Sequence, residues 1–426
     1  MKQDVMKQDA MKQSAKKRFA VLIVVACLAV GALGVIFTKG GVSDAEIAAE
    51  PYVGYPSFPE LTNFHFMETS YQQRVAQGDN PLLVFGSSEL DISRDYSSSH
   101  MATLFGENNY GFDVMAMGRG FVNDMYNVVE IGALSSQIKG KKLVLIPSMQ
   151  WFMTYKDETQ QFPSCFSGGA YQAFMDSPNV SDDIKQQATE LMASHYHVDR
   201  VTNGSALMGL INRANDALGQ EASDIRLGFD LSNAQALGSD FVRSVPQELT
   251  DVQRSHASGA TETPDWSSIF ADATQETQDS TTSNPYGFYD KWYNKKTNSF
   301  TWWIWDAQRH WSFRDGQPFD EGEFEAFELT LKECQEQGIH PLVILQPVKA
   351  FLYDQTIYNK DVRATWYERM RELCEKYGAQ VADFSSHEDD KLFFYDNVHP
   401  SALGDAYYAQ AVYEYYYDQP LTQGAN

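Results

Sequence analysis

Cysteine is scarce in this chain, with four cysteines among 426 residues. Cys27 lies in an apolar run near the N-terminus, and Cys165, Cys334 and Cys374 lie in the remainder. An odd count of three cannot form a complete disulfide framework, and at most one intramolecular bridge is compatible with it. The fold must therefore rest on a hydrophobic core, for which an apolar fraction of 43% is ample.

Basic residues are also few. The chain has 33 Lys and Arg against 57 Asp and Glu, which gives a formal net charge of −24. Residues 1–40 carry +5, so residues 41–426 carry −29. No basic stripe is present that would collect phosphates, and this excludes nucleic-acid binding.

One long apolar segment is present, from Phe19 to Phe37, with 19 residues and no charge. About 20 such residues cross a bilayer as a helix, so the segment predicts a single membrane anchor. The basic tail before it places the N-terminus in the cytoplasm and the following residues outside the cell. A cleaved signal peptide is the alternative, but its apolar region spans only ~7–15 residues. A lipoprotein box ending at Cys27 fits poorly, because the run continues ten residues further.

Short apolar runs alternate with amphipathic segments over much of the chain. The predicted strands are Pro81–Phe85, Lys142–Pro147, Pro341–Pro347 and Gln380–Phe384. The predicted helices are Met125–Ile138, Phe324–Gln337, Arg363–Tyr377 and a last helix capped by Ser401. This alternation predicts an α/β fold with a flavodoxin-like, doubly wound and mostly parallel sheet. Sites in such sheets form beyond the carboxyl ends of the strands.

A long polar middle section interrupts this alternation of strands and helices. We interpret the section as a largely helical insertion and, less readily, as a separate domain. The predicted organisation is a cytoplasmic tail 1–18, an anchor 19–37, a juxtamembrane segment 38–80, a catalytic domain 81–151 and 319–418, an insertion 152–318 and a tail 419–426. Within the insertion, helices are predicted at Ser181–Met192 and Gly204–Ala217. The Ser/Thr-rich tract around 256–284 is predicted to be a mobile loop. The tryptophans at 302, 303, 305 and 311 are predicted to pack the insertion or to line an acceptor groove.

A short turn, Gly86 to Leu90 (GSSEL), follows the first predicted strand. A serine nucleophile must project its hydroxyl from a tight turn where backbone N–H groups face the developing oxyanion, and a turn that opens with glycine supplies this geometry. Gly-Ser-Ser is also an ordinary turn composition. Taken alone, the turn is therefore weak support for a nucleophile.

Asp396 and His399 stand three residues apart, just before the last predicted helix. At that spacing the two can share one turn, in which the carboxylate keeps one imidazole nitrogen protonated while the other accepts a proton from serine. Asp-x-x-His is equally typical of an exposed loop before a capped helix. The pattern gains specificity only in combination with the serine turn.

That combination resembles the SGNH hydrolase superfamily. The GSSEL turn resembles the superfamily's Gly-Asp-Ser-Leu block, with Ser88 in the place of the nucleophile. Within the superfamily the chain resembles the DltD family, the D-alanyl transfer proteins of lipoteichoic acid biosynthesis. The resemblance spans about 81–155 and 320–415. Its features are the N-terminal apolar run, GSSEL, Met117–Gly120 (MGRG), Pro147–Phe152 (PSMQWF) and the terminal DNVH.

The resemblance implies roles for individual residues. It makes Ser88 the nucleophile, His399 the general base and then acid, and Asp396 the group that orients the imidazole. The N–H of Gly118 would join that of Ser88 in the oxyanion hole. The superfamily's Gly-x-Asn-Asp block is absent, so Gln150 would supply the side-chain amide.

Two departures from the pattern leave alternatives open. Ser87 stands where the superfamily block has Asp, so the nucleophile could lie one position earlier. Asn123 and Asp124 do not replace the missing block, because they follow the glycine block within a few residues and not after the next strand.

The implied function is an extracytoplasmic serine acyl-ester enzyme that transfers D-alanyl groups to lipoteichoic or teichoic acid. A D-alanyl-enzyme ester would pass its acyl group to a polyol-phosphate hydroxyl. The expected partners are the membrane-bound D-alanyl transfer machinery and, as a further candidate, a D-alanyl carrier protein. The enzyme could also act as a thioesterase, and no cofactor is expected. The alternatives are another SGNH-type envelope esterase or O-acyl hydrolase, and a non-catalytic docking partner of a membrane acyltransferase or acyl carrier.

Other polar residues carry less information. His195 and His197 have the alternating spacing of ligands on a strand, but no cysteine or further histidine lies at ligand spacing, so no metal site is predicted. Glu89 and the acidic pairs of the helix Phe324–Gln337 are predicted to be solvated.

Overall fold

A computed structural model describes residues 55–56, 58–62, 64–91, 97–106, 110–156, 159, 162–196, 198 and 262–422, without the side chains at 58–59, 65, 163–164 and 295–302. The predicted anchor 19–37 and the predicted helix Gly204–Ala217 lie outside these residues. Within the described part, no helix is both long enough and apolar enough to cross a bilayer.

Five parallel strands form one sheet. They are β1 Pro81–Gly86, β2 Asp113–Gly118, β3 Leu143–Leu145, β4 Leu342–Leu345 and β5 Gln380–Asp383. Their order across the sheet is β2-β1-β3-β4-β5, the order of flavodoxin-like doubly wound sheets. The predicted α/β class with a parallel sheet is confirmed.

Helices cover both faces of the sheet. In chain order they are α1 Phe58–Leu61, α2 Phe64–Gln77, α3 Met101–Leu104, α4 Asp124–Ala133, α5 Ser135–Ile138, α6 Met149–Phe152, α7 Phe162–Cys165, α8 Gly168–Asp176, α9 Asp182–Ser194, α10 Trp266–Asp279, α11 Asp290–His310, α12 Glu321–Glu336, α13 Ala350–Tyr353, α14 Lys360–Tyr377 and α15 Ala402–Tyr416. Two 3₁₀ turns, Ser88–Leu90 and Ser385–His387, complete the set of described helical segments.

Residues of β1 alternate between two apolar layers because successive strand side chains point to opposite faces. Leu83 and Phe85 join the layer that contains α4, α12 and α14. Leu82 and Val84 join the layer beneath α15. Both faces are therefore buried, which explains why β1 reads as a continuous apolar run and not as an alternating one.

The helix ends follow local sequence signals. Ser401 caps α15 by accepting the N–H of Gly404 at 3.2 Å, as expected. Ser181 caps α9 in the same way through the N–H of Ile184 at 3.3 Å. Helix α14 ends at Gly378, whose φ of 71° suits a residue without Cβ.

Three expectations about these elements were wrong or incomplete. Trp266–Asp279 of the Ser/Thr-rich tract is the helix α10 and not a loop, because Ala273 and Thr277 pack under α15 and Asp265 caps its start. Strand β2 was not predicted, although its run DVMAMG ends in glycine as β1 does. Glu333 on α12 is fully buried, whereas it was predicted to be solvated.

Candidate active site

The carboxyl ends of the parallel strands gather the predicted site residues at one edge of the sheet. The 3₁₀ turn with Ser88 follows β1, the segment through Gly120 follows β2, and Gln150 lies on α6 after β3. The loop 394–400 follows β5 and leads into α15. Residues far apart in the chain thus meet where doubly wound folds place their sites.

Ser88, His399 and Asp396 form one hydrogen-bonded series. Ser88 Oγ lies 2.7 Å from His399 Nε2. His399 Nδ1 lies 2.7 Å from Asp396 Oδ2 and 2.9 Å from Oδ1. An ionised carboxylate can only accept, so the proton of this second contact belongs to Nδ1. In the neutral imidazole that carries this proton, Nε2 is the atom that can accept from the Ser88 hydroxyl.

The loop that carries Asp396 and His399 is closed by its own hydrogen bonds. Asp396 Oδ1 accepts the backbone N–H groups of Val398 at 3.0 Å and His399 at 2.9 Å. The N–H of Tyr395 donates to the carbonyl of His399 at 2.8 Å. One turn therefore fixes the carboxylate and the imidazole relative to each other.

Asp396 is ionised at neutral pH. Burial by itself would raise its pKa, but the nearby His399 and the hydrogen bonds from His399 and the loop backbone outweigh burial and lower the pKa to about 2. A buried carboxylate of this kind stabilises a positive charge on the imidazole. Such a charge would form if His399 took a proton from serine.

The two adjacent serines have different surroundings. Ser87 is buried, and its Oγ donates to the carbonyl of Arg119 at 3.4 Å. Ser88 is partly exposed and contacts the imidazole. The geometry therefore favours Ser88 over Ser87 as the serine that can be deprotonated.

Glu89 is buried beneath this turn, so the expectation of a solvated side chain was wrong. Its Oε1 accepts the N–H of Ser87 at 2.5 Å, and its carboxyl also bonds Gln346 at the end of β4. Burial raises the pKa of Glu89 although these hydrogen bonds and His399 act in the opposite direction. A Cβ at Gly86 would crowd Oε1 and the Leu90 side chain, so glycine at this position leaves room for the Glu89 carboxyl where it lies.

The glycines after β2 occupy distinct positions. Gly118 pairs with Gly86 in the sheet, and a Cβ there would collide with the Gly86 carbonyl. A Cβ at Gly120 would lie 3.5 Å from Ser88 Cβ. Gly120, which the sequence did not single out for a role of its own, therefore borders the serine. The oxyanion role of Gly118 stays a prediction.

Gln150 contributes to a polar chain beside the loop 394–400. Its Nε2 donates to the hydroxyl of Tyr353 at 2.9 Å, and Asn397 Nδ2 donates to the same oxygen at 3.4 Å. Burial raises the pKa of Tyr353 to about 12, so its hydroxyl stays neutral. The contacts tie α6 to the loop with His399, and the oxyanion role of Gln150 stays a prediction.

Lys349 is a buried lysine next to the same loop, and no pattern in the sequence indicated it. Its Nζ lies 5.0 and 5.1 Å from the ring centroids of Phe288 and Phe394 and donates to the carbonyl of Lys391 at 3.2 Å. Its backbone N–H donates to the carbonyl of Asn397 at 2.9 Å. Burial lowers the pKa of Lys349 to about 8. Lys349 therefore contacts the loop at its start, Phe394, and in its middle, Asn397.

The remaining candidates lie apart from the series. His195 Nε2 contacts Asp320 Oδ1 at 3.1 Å, His197 lies outside the described residues, and no described group of acids, histidines and cysteines could hold a metal ion. Asp124 is buried at the start of α4, where its N–H donates to Glu323 Oε1 at 3.0 Å.

Trp303 and Trp311 join the insertion to the rest of the domain, whereas Trp305 is exposed and packs beside Arg309 and His310 of its own helix. Trp303 packs on Tyr353 and on Trp311 with ring centroids 5.5 and 4.9 Å apart, and Trp311 stacks on Tyr155 at 3.7 Å. The Trp302 side chain lies outside the described residues. The cluster therefore packs against the segments that follow β3 and β4 and not only within the insertion.

An α/β domain with a parallel five-stranded sheet and this series at its carboxyl edge is consistent with the SGNH-like superfamily. The model of the DltD protein family matches residues 59–417, so the chain belongs to the DltD family. It is similar to Protein DltD of Bacillus subtilis (strain 168), with 25% identity over 81% of this chain and 84% of the relative. It is also similar to Protein DltD of Staphylococcus aureus (strain NCTC 8325 / PS 47), with 22% identity over 84% and 87%.

Proteins of this family take part in the D-alanylation of teichoic acids and are membrane-associated in that pathway.

Proposed function

We propose that this chain is a membrane-anchored, extracytoplasmic serine enzyme that transfers D-alanyl groups to lipoteichoic or teichoic acid. Membership in the DltD family supports the pathway. The chemistry is supported above all by one observation, the series from Ser88 Oγ through His399 to Asp396 with contacts of 2.7 Å at both steps.

The proposed reaction has two acyl-transfer steps. Ser88 Oγ attacks the carbonyl carbon of a D-alanyl ester or thioester while its proton passes to His399 Nε2. The bond from that carbon to the leaving group breaks, and the leaving group takes the proton from His399. A polyol hydroxyl of teichoic acid then attacks the D-alanyl-Ser88 ester, gives its proton to His399, and Ser88 leaves with that proton.

The oxyanion of each tetrahedral intermediate needs nearby donors. We propose the N–H groups of Ser88 and Gly120 for this role, in addition to the predicted Gly118. The position of Gly120 beside Ser88 Cβ supports this assignment.

For Gln150, substitution by alanine should lower turnover by about 10²–10³ if its amide is a donor. A loss below about threefold in a folded protein would remove Gln150 from the oxyanion hole.

Two measurements test the proposal. A fluorophosphonate should label the full chain once, at Ser88, as located by mass spectrometry of peptides, with Ser88→Ala as the unlabelled control. Intact-mass analysis after incubation with D-alanylated teichoic acid should then show a D-alanyl adduct on the same serine. Labelling without any D-alanyl adduct would favour another envelope esterase. No labelling at all would favour a non-catalytic docking partner.

A further inference from the structure

Tyr55, from the segment before α1, reaches the residues that border the candidate nucleophile. Its hydroxyl oxygen accepts the N–H of Gly120 at 2.8 Å. A Cβ added at Gly120 would lie 3.6 Å from that hydroxyl and 3.5 Å from Ser88 Cβ. The tyrosine hydroxyl and the serine side chain therefore border the same small space above Gly120.

Arg119 holds this segment in place. Its Nη1 donates to the carbonyl of Pro56 at 2.7 Å, and its guanidinium carbon lies 5.0 Å from the centroid of the Tyr55 ring. The carbonyl of Arg119 also accepts the hydroxyl of Ser87 at 3.4 Å. One residue after β2 is thus bonded both to the N-terminal segment and to the turn that carries Ser88.

We propose that the Tyr55 hydroxyl occupies the oxyanion position of the unacylated enzyme and that an acyl carbonyl oxygen must displace it. This inference rests on the proposed function, in which the N–H of Gly120 is an oxyanion donor. Such donors lie 2.7–3.1 Å from the oxygen they stabilise, and the Tyr55 oxygen lies within that range of Gly120 N. A neutral phenol oxygen is a weaker acceptor than the oxyanion, so the transition state can displace it.

Displacement makes Tyr55 a specificity-determining residue. A small ester has few contacts with which to offset the lost hydrogen bond, so Tyr55 slows its reaction. A donor held by a large remote group can use binding energy from that group to move the tyrosine. The enzyme therefore discriminates against small acyl esters and in favour of donors that make contacts beyond the acyl group.

The test compares the rates at which a small alkyl fluorophosphonate phosphonylates Ser88. In this reaction Ser88 Oγ bonds to phosphorus, fluoride leaves, and the phosphonyl oxygen enters the oxyanion position. In the full chain, Tyr55→Phe keeps the ring over Arg119 but lacks the hydroxyl. We expect it to react about threefold to tenfold faster than the wild type, the range for one net hydrogen bond. Arg119→Ala, which frees Pro56, should also react faster.

Tyr171→Phe is the matched control, because Tyr171 is likewise partly buried and its hydroxyl, within the part of the chain that the structure describes, bonds to Thr189 at 2.9 Å in the helical layer. Its rate should stay within about twofold of the wild type. A Tyr55→Phe rate equal to or below that of the wild type, with Ser88 labelled in both, would overturn this inference and leave the proposed function intact. Absence of labelling at Ser88 in every protein would overturn the proposed function, and this inference with it.

Discussion

At the scale of single residues, we expect reactivity at Ser88 to depend on two partners that act as one unit. Ser88→Ala, His399→Ala and Asp396→Ala should each lower acyl transfer severely, and the triple variant should lose little more than Ser88→Ala, because each removes the same pathway for the proton. Steady-state transfer of D-alanine to teichoic acid measures the effect. Ser87→Ala, which removes a hydroxyl that donates to the carbonyl of Arg119, is the control and should stay within about threefold. The reverse result, with activity lost in Ser87→Ala and kept in Ser88→Ala, would move the nucleophile by one position.

Glu89 is expected to position the turn and not to react. Glu89→Gln keeps an oxygen that can accept the N–H of Ser87, so it should retain at least about a third of kcat. Glu89→Ala leaves that buried N–H without its acceptor and should lower kcat by about tenfold or more with little change in KM. Comparison of the two variants measures the contribution of the acceptor. Equal losses in both variants would show that the charge, and not the hydrogen bond, is what matters.

The sequence predicted the residues whose significance is local and missed those whose partners are distant. Asp396 and His399 share one turn, so a contact between them was predictable from their spacing, and the GSSEL turn made the pattern specific. Glu89 was misassigned because only the folded sheet brings Gln346 over it. Tyr55 contacts a residue 65 positions away, and no local pattern indicates such a contact.

At the scale of secondary structure, the close approach of β1 and β2 sets the site. A Cβ at Gly118 would collide with the Gly86 carbonyl, whereas one at Gly120 would make only ordinary contacts. Gly118→Ala should therefore lower the free energy of unfolding by about 1–3 kcal/mol or more. Gly120→Ala should fold normally and lose activity, because its methyl group would lie against Ser88. Chemical denaturation and transfer assays on both variants test this contrast. Normal stability in Gly118→Ala would show that the strand ends can separate without cost.

Four of the five described strands followed from the apolar pattern, because buried parallel strands are short uniform runs between turn residues. Strand β2 fits that description but its methionines and alanine did not stand out as strand formers. Helix α10 was missed for a different reason. Its Ser and Thr residues indicate a loop, and the helix is held by packing against α15, which composition does not reveal.

At the scale of the whole molecule, buried acids make stability depend on pH. Glu323 accepts the Tyr196 hydroxyl at 2.5 Å and the Asp124 N–H, and it lies near His195 and Asp320. Burial raises its pKa to about 7 from an ordinary 4.5. The folded state therefore binds the extra proton between these values, and stability is lost as pH rises through about 7.

We expect the free energy of unfolding to fall by roughly 1–3 kcal/mol between pH 5 and pH 8 for this reason. His195, whose pKa is also raised by its hydrogen bond to Asp320 despite burial, adds a change of the same sign. Glu323→Gln should reduce the slope in urea denaturation at several pH values. Glu325→Gln, exposed on the same helix, should not. An unchanged slope in Glu323→Gln would assign the pH dependence to other groups.

The net charge of the whole molecule predicts which form of the polymer it prefers. Teichoic acid is a polyphosphate, so residues 41–426, with a charge of −29, repel the bare polymer at long range. D-alanyl esters add ammonium groups that the same field attracts. The alanylated polymer should therefore bind more tightly at low salt.

Screening decides how this preference changes with conditions. The Debye length is ~8 Å at physiological ionic strength and ~30 Å at 0.01 M, so the difference between the two polymers should shrink as salt is added. Surface resonance with both polymers at low and high salt measures it, and a neutral polysaccharide serves as the control because its binding should not respond to this field. Contacts at the site act over a few ångströms and are screened much less than exposed charges. Equal affinity for the two polymers at low salt, or a preference that grows with salt, would therefore assign recognition to those local contacts and not to net charge.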